Sequence, residues 1–278
     1  ADEGRASLRQ RVLNAGGWSL AAFALGQAIR FGTNLIMTRL LVPDVYGVMA
    51  LAMTIMMGIS LLGDIGLRQS VVQSPRGSNP LFLNTVWVTR IGITAITATL
   101  IVLVAVAFWI IQANNWLPPG STYAARDLPI VLACAGLTAF IGGFESTKAL
   151  EASRHLSIGL LTRMQLGTQI VGLGAMLVAA MFTRSIWVLI VGQIATTALA
   201  TILTDLVLPG HRNRFQWDRR EFKEMLGFGK WILASSVTGF LASSLDKAVL
   251  GALVSPATLG TYWIALLLYG AVDQVFSK

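Results

Sequence analysis

Long apolar segments fill almost all of this 278-residue chain, and each is long enough to cross a lipid bilayer. A membrane span needs about 20 mainly apolar residues, and only helices and closed β-barrels satisfy their backbone polar groups in lipid. The segments are continuous and lack the alternation of barrel strands. They therefore predict an all-α polytopic membrane protein with about eight transmembrane helices. Their expected ranges are 14–41, 45–74, 81–112, 128–150, 157–182, 185–208, 230–254 and 257–277.

The composition and the absence of certain motifs exclude a soluble domain and several kinds of functional site. Hydrophobic residues make up 55% of the chain and charged residues 12%, whereas a soluble domain is about 25% charged. The single cysteine, Cys134, excludes an intramolecular disulfide. The chain has no nucleophile–base pair, glycine-rich phosphate loop or metal-ligand pattern, so we expect no enzyme activity, no cofactor and no metal site.

The distribution of Lys and Arg predicts how the chain is oriented. Fourteen of these residues fall on one side of the expected spans and three on the other. The positive-inside rule then puts the N-terminus in the cytoplasm. This topology accounts for the net charge of +8, so we expect no nucleic-acid partner. The side with few basic residues carries Arg39, Arg126 and Arg184.

A short repeat predicts the organisation of the spans. Leu41–Gly47 and Leu253–Gly260 both read Leu-Val followed by Pro-x-x-x-Gly, with their prolines 213 residues apart. Two parallel six-helix lobes are a common transporter plan. We expect a first lobe at 1–210, a cytoplasmic amphipathic connection at 211–229 lying on the membrane surface, and the first two helices of a second lobe at 230–278.

An arginine near the middle of the first expected span is the main site candidate. Arg30 lies twelve residues from Trp18 and thirteen from Pro43, and an arginine at that depth costs about 2.5–3.5 kcal/mol. Gln27 and Asn34 share its helical face. We interpret this stripe as a cavity wall with Arg30 as a phosphate ligand, because a guanidinium can donate two hydrogen bonds to one phosphate. The alternative is a structural arginine paired with a buried carboxylate or with carbonyls.

Further charges lie towards the cytoplasmic side of the second, third and fourth spans, with Arg90 about a third of the way into the third. Asp64 and Arg68 are four residues apart on one helix, in the favourable order for an ion pair. They are either a gate pair or an ordinary interfacial pair with Arg68 reaching to the headgroups. Arg90 either extends a cationic cavity or reaches the cytoplasmic surface. Glu145 and Lys148 are expected at a solvated helix end.

Two adjacent charges interrupt the seventh span. Asp246 and Lys247 lie at a depth close to that of Asn34 in the repeat. Asp246 is a candidate for carrying a coupling proton or for pairing with Arg30. The alternative is that both charges bond to neighbouring helices.

Several stretches of the chain resemble the bacterial polysaccharide transporter family, the flippases of lipid-linked oligosaccharides. The resemblance rests on Leu40–Ala52, Gly63–Gln73, Ala149–Leu156, Phe228–Ser236 and Leu245–Tyr262. It implies two lobes around a central cavity, alternating access and a bacterial inner membrane. It also implies an undecaprenyl-pyrophosphate-linked oligosaccharide as cargo, moved from the cytoplasmic to the periplasmic leaflet. Members have twelve or more helices, so we expect this chain to be a truncated form.

The predicted function is therefore that of a flippase for surface polysaccharide biosynthesis. Arg30, with Arg90 and Arg68, would hold the pyrophosphate, and Gln27 and Asn34 would meet sugars. Expected partners are the lipid-linked oligosaccharide, membrane lipids, and the polymerase and chain-length regulator proteins of polysaccharide assembly. The alternatives are a cation-coupled drug antiporter of the same superfamily, which requires an acidic cavity, and a scaffold without transport activity.

Overall fold

A computed structural model describes residues 24–61, 63, 66–74, 76–154 and 158–276, and these residues contain helices and no strand. This confirms the prediction of an all-α membrane protein. The helices are α1 (24–40), α2 (Pro43–Leu61), α3 (Leu67–Gln73), α4 (Pro80–Ala113), α5 (Leu128–Gly143), α6 (Lys148–Arg154), α7 (Ile158–Phe182), α8 (Trp187–Leu206), α9 (Arg219–Leu253) and α10 (Pro256–Phe276). A 3₁₀ turn, Thr122–Ala124, lies between α4 and α5.

Four helices of the described part are long and apolar enough to cross a membrane, namely α2, α4, α7 and α8. The pair of α5 and α6 makes a fifth candidate if it is counted as one bent span. The first expected span lies partly outside the described residues, and α9 and α10 do not meet the criterion. The expected total of eight spans therefore stays a prediction.

Two expected spans are broken near the end predicted to be cytoplasmic. The second was expected to continue to residue 74, but α2 ends at Leu61 and α3 begins after Gly66. Gly66 has a φ of +67°, a left-handed conformation that glycine adopts at little cost. The fourth is bent by 65° between α5 and α6. The two short helices α3 and α6 pack against each other and form one wall of a cavity.

The main core surrounds α2, which packs against α4, α5, α9 and α10. Apolar side chains from five elements meet there without solvent exposure, as expected where they pack protein against protein rather than lipid. Its fully buried members include Leu51, Ile101, Leu128, Leu132 and Leu259. Helices α4 and α5 form one antiparallel pair, and α7 and α8 form another.

The two copies of the Pro-x-x-x-Gly repeat pack face to face. A Cβ built on Gly47 would overlap the carbonyl oxygen of Pro256, and a Cβ built on Gly260 would overlap the carbonyl oxygen of Pro43. Glycine at both positions therefore allows the N-terminal turns of α2 and α10 to touch through their backbones.

The first turns of α9 are docked on protein. Asp218 caps α9, since its carboxylate accepts hydrogen bonds from the backbone N–H groups of Arg220 and Glu221 at 2.8 and 3.1 Å. Met225 is fully buried, and Phe222 packs in the same cluster, with Val71 of α3 and side chains of α4. The expectation that this face lies on the membrane surface is wrong for Phe222 and Met225, because α3 and α4 cover it.

Candidate functional site

A cavity of about 550 Å³ lies among α3, α4, the α5–α6 bend, α7 and α8. It is bordered by the N-terminal parts of α4 and α7 and the last turns of α8, the end of the bundle predicted to be cytoplasmic. Its charged lining residues are Arg68, Arg90 and Glu145. Uncharged polar side chains complete the wall, and they are Gln69, Ser153, Gln165, Thr168 and Thr204.

An ion pair joins two walls of this cavity. Nη2 of Arg90, on α4, lies 2.5 Å from Oε2 of Glu145, which follows the end of α5. The helices approach closely here, because a Cβ on Gly143 would overlap Oγ1 of Thr94 on α4. The Trp87 indole N–H also donates to the carbonyl of residue 144 at 3.3 Å. This close approach brings Glu145 within reach of Arg90.

Arg68 lies on α3 and faces the same cavity as Arg90. Its side chain is exposed, and it makes no hydrogen bond or ion pair with the described residues. Asp64, its expected partner, lies outside the described residues, so the gate-pair prediction is untested. The structure thus brings together two of the three predicted phosphate ligands.

The short helix that carries Arg68 is held by an arginine of α6. Nη1 of Arg154 donates to the carbonyls of Val71, Val72 and Ser74, at 2.9, 3.1 and 2.5 Å. These carbonyls end α3 and lack helical partners, and a cation at a helix C-terminus also interacts favourably with the helix dipole. Arg154 therefore fixes α3 against the cavity wall.

The polar stripe of the first span does not line this cavity. Arg30 is exposed and makes no ion pair with the described residues, while Gln27 and Asn34 are half-buried. Helix α1 lies beside α7, where a Cβ on Gly26 would come within 3.3 Å of Leu166. The predicted group is thus divided, with Arg30, Gln27 and Asn34 in one place and Arg68 and Arg90 in another.

The charges of the seventh span bond to each other and to α10. Lys247 Nζ lies 3.0 Å from Asp246 Oδ1, and the Tyr262 hydroxyl donates to Asp246 Oδ2 at 2.6 Å. Lys247 also donates to the carbonyl of Ser243, and its Nζ lies 5.9 Å from the Trp263 ring centroid. The expected pairing of Asp246 with Arg30 is absent from the described residues. A coupling role for Asp246 and Lys247 stays a prediction.

Sequence reasoning missed Glu145 as part of the cavity and misjudged Lys148. Both were expected at a solvated helix end, but Lys148 is only 5% exposed and pairs with Asp205 at 3.2 Å. The available signal was the Gly142-Gly143 pair, which allows a tight approach and a bend just before Glu145. Among the residues that the structure describes, no group of three His, Cys, Asp or Glu side chains could hold a metal ion.

The bundle of apolar helices defines a multi-pass membrane protein with a polar, mainly cationic cavity at one end. Residues 36–277 match the polysaccharide biosynthesis protein family. Because the match covers most of the chain, the protein belongs to this family, and the resemblance seen in the sequence is confirmed at that level. No curated protein and no solved structure was found to match the chain.

Proposed function

We propose that the protein is a flippase that moves an undecaprenyl-pyrophosphate-linked oligosaccharide across the bacterial inner membrane. Its N-terminus lies in the cytoplasm, and the cargo moves from the cytoplasmic to the periplasmic leaflet by alternating access. The protein supplies a pathway and performs no chemistry on the cargo. Polysaccharide polymerase and chain-length regulator proteins act with it in surface polysaccharide assembly.

The observation that carries this proposal is the pair of arginines in the cavity between α3 and α8. Arg68 is unpaired within the described residues, and Arg90 has a single carboxylate partner. Two guanidinium groups suit the two phosphates of a diphosphate, since each can donate parallel hydrogen bonds to phosphate oxygens. The volume of about 550 Å³ lies within the range of about 300–1,000 Å³ of small-molecule sites.

The polar remainder of the wall suits a sugar. Gln69, Gln165 and Thr168 offer amide and hydroxyl groups to the cavity, and such groups donate to and accept from sugar hydroxyls. The polyprenyl chain would stay in lipid. A drug antiporter for organic cations would need an excess of carboxylates, whereas the described wall carries two arginines and one glutamate.

Complementation of a strain that lacks its own oligosaccharide flippase tests the proposal. We expect Arg68→Gln and Arg90→Gln to reduce surface polysaccharide strongly at equal protein level. Arg163→Gln is the matched control, because Arg163 lies on α7 beside the cavity residues but is exposed and does not line the cavity. Normal surface polysaccharide with both cavity variants would contradict the binding of a diphosphate by Arg68 and Arg90. Arg30→Gln tests the separate stripe of α1 in the same assay.

A further inference from the structure

The three charged side chains of the cavity have different bonding states. Arg68 has no described partner, while Arg90 and Glu145 have one another. Neither side chain of that pair makes a second hydrogen bond among the described residues. A guanidinium has five N–H donors and a carboxylate can accept about four hydrogen bonds, so the described protein atoms take up only a small part of the bonding capacity of both groups.

The Arg90–Glu145 pair is also accessible from the cavity. The side chains are 23% and 30% exposed. The nearby pair of Lys148 and Asp205 differs at its cation, because the Lys148 side chain is only 6% exposed, although that of Asp205 is 52% exposed. The Lys148 ammonium also donates to the backbone carbonyl of Asp205. Only the Lys148 ammonium is enclosed by protein, and neither Lys148 nor Asp205 lines the cavity, whereas Arg90 and Glu145 both line the space that a ligand would enter.

We propose, resting on the proposed function, that Glu145 is a built-in competitor for the diphosphate site. In the empty cavity its carboxylate occupies Arg90. A diphosphate that enters binds Arg68 first and then takes Arg90 from Glu145. When the ligand leaves, Glu145 returns to Arg90 and favours release.

Charge and geometry both support this exchange. A phosphate bound to Arg90 would lie close to the Glu145 carboxylate, and like charges at short range disfavour each other. The carboxylate must therefore turn away for the anion to bind. Glu145 follows the end of α5 and precedes α6, so its side chain can move without unwinding either helix.

Glu145→Gln tests the proposal because it removes the competing charge and keeps the size of the side chain. The purified protein in detergent is titrated calorimetrically at low ionic strength with inorganic pyrophosphate and with geranylgeranyl diphosphate. We expect Glu145→Gln to bind both probes roughly two- to fivefold more tightly than wild type, the range of a partly exposed ion pair. Surface polysaccharide in the complemented strain should nevertheless fall, because release slows.

Control variants separate competition from a structural role. Glu145→Asp keeps the charge and should keep the wild-type affinity, while Arg163→Gln should change neither affinity nor polysaccharide. Unchanged or weaker binding of pyrophosphate by Glu145→Gln would overturn the proposal, and so would a gain with the prenyl probe alone. If Glu145→Gln does not fold, Glu145→Ala is judged by the same affinity criterion.

The proposed function fails in a different way from this inference. If wild type binds neither probe and Arg68→Gln leaves surface polysaccharide unchanged, the cavity is not a diphosphate site. That result would contradict both the proposed function of the cavity and the competition by Glu145. If wild type binds the probes and Arg68→Gln weakens binding, the diphosphate site stands. The response of Glu145→Gln then decides on competition alone.

Discussion

The backbone carbonyl of Pro43 lies directly against Gly260, in the space that a Cβ at position 260 would need. The contact has a counterpart, because the carbonyl of Pro256 occupies the same position against Gly47. Small residues allow such backbone approach between membrane helices, where packing rather than the hydrophobic effect drives association. We call this pair of contacts the proline–glycine seam. It joins the turns that begin α2 and α10, at the end predicted to be periplasmic.

Replacing a glycine of the proline–glycine seam by a larger residue should destabilise the helix bundle. Gly260→Val places side-chain atoms where the Pro43 carbonyl now lies, so α2 and α10 must separate. We expect a loss of about 1–3 kcal/mol in the free energy of unfolding, the usual cost of overpacking. Thermal unfolding of the purified protein in detergent measures it.

The control for the seam lies on the same helix. A Cβ added to Gly270 of α10 meets nothing within 4 Å, so Gly270→Ala should be neutral or stabilise by about 1 kcal/mol through helix propensity. Equal melting temperatures for Gly260→Val and wild type would contradict the close approach described here.

A second contact near the seam involves the 3₁₀ turn and α9. Thr122 donates through its N–H and its hydroxyl to the carbonyl of Val254, at 3.1 and 3.0 Å. The Tyr123 hydroxyl donates to the carbonyl of Ala248 at 3.0 Å. Tyr123→Phe removes only the last bond, so we expect a loss of about 0.5–1.5 kcal/mol in unfolding free energy. Chemical unfolding in detergent measures it, and Tyr269→Phe, at an exposed position of α10, is the control and should be silent.

The helical class could be predicted from the sequence, but the contact between the two copies of the repeat and the breaks in two helices could not. Gly66 stands in a mainly apolar stretch, where glycine is tolerated in membrane helices as well as at breaks. Packing decides whether the helix continues through Gly66 or breaks there, because α3 is held by hydrogen bonds from Arg154, 80 or more residues away in sequence. Glu145 joins the cavity for the same reason. Its position depends on the bend after Gly143, which the Gly142-Gly143 pair permits but does not require.

Lys148 illustrates a further limit of sequence reasoning. Charges spaced three apart at the end of an apolar run are typical of a solvated helix end. The segment before α9 instead covers this region, and Asn213 accepts hydrogen bonds from Ser146 and from the backbone of Thr147. Such burial depends on a segment more than 60 residues distant in sequence, so no local pattern indicates it.

The segment before α9 should detach when its main anchor is removed. Asn84 of α4 is 1% exposed. Its Oδ1 accepts from the backbone N–H of Arg214 at 3.0 Å and contacts a ring nitrogen of His211 at 3.0 Å, and its Nδ2 donates to Gln216 at 2.9 Å. Asn84→Ala should cost about 1–3 kcal/mol, because buried partners lose their bonds. Faster amide hydrogen exchange in residues 211–218 would report the detachment.

The control for this anchor is Gln73→Ala, at an exposed position at the end of α3. It should leave exchange in residues 211–218 unchanged. Unaltered exchange in Asn84→Ala would mean that the remaining contacts hold the segment alone. These contacts include the hydrogen bonds of Asn213 with Ser146 and Thr147, which Asn213→Ala would remove in the next variant.

Arg154 should control the position of Arg68 without touching the cavity ligand itself. Arg154→Lys keeps the charge, but the lysine side chain is one bond shorter, so its Nζ falls short of the position from which Nη1 donates to three carbonyls. Helix α3 then loses hydrogen bonds at its C-terminal end. We expect about 1–3 kcal/mol of destabilisation and weaker pyrophosphate binding, because Arg68 is no longer held at the cavity wall. Arg163→Lys, an exposed change on α7, should alter neither quantity. Calorimetric titration with pyrophosphate and thermal unfolding separate the two effects. Wild-type affinity in an Arg154→Lys protein with a lowered melting temperature would mean that Arg68 reaches the ligand independently of the position of α3.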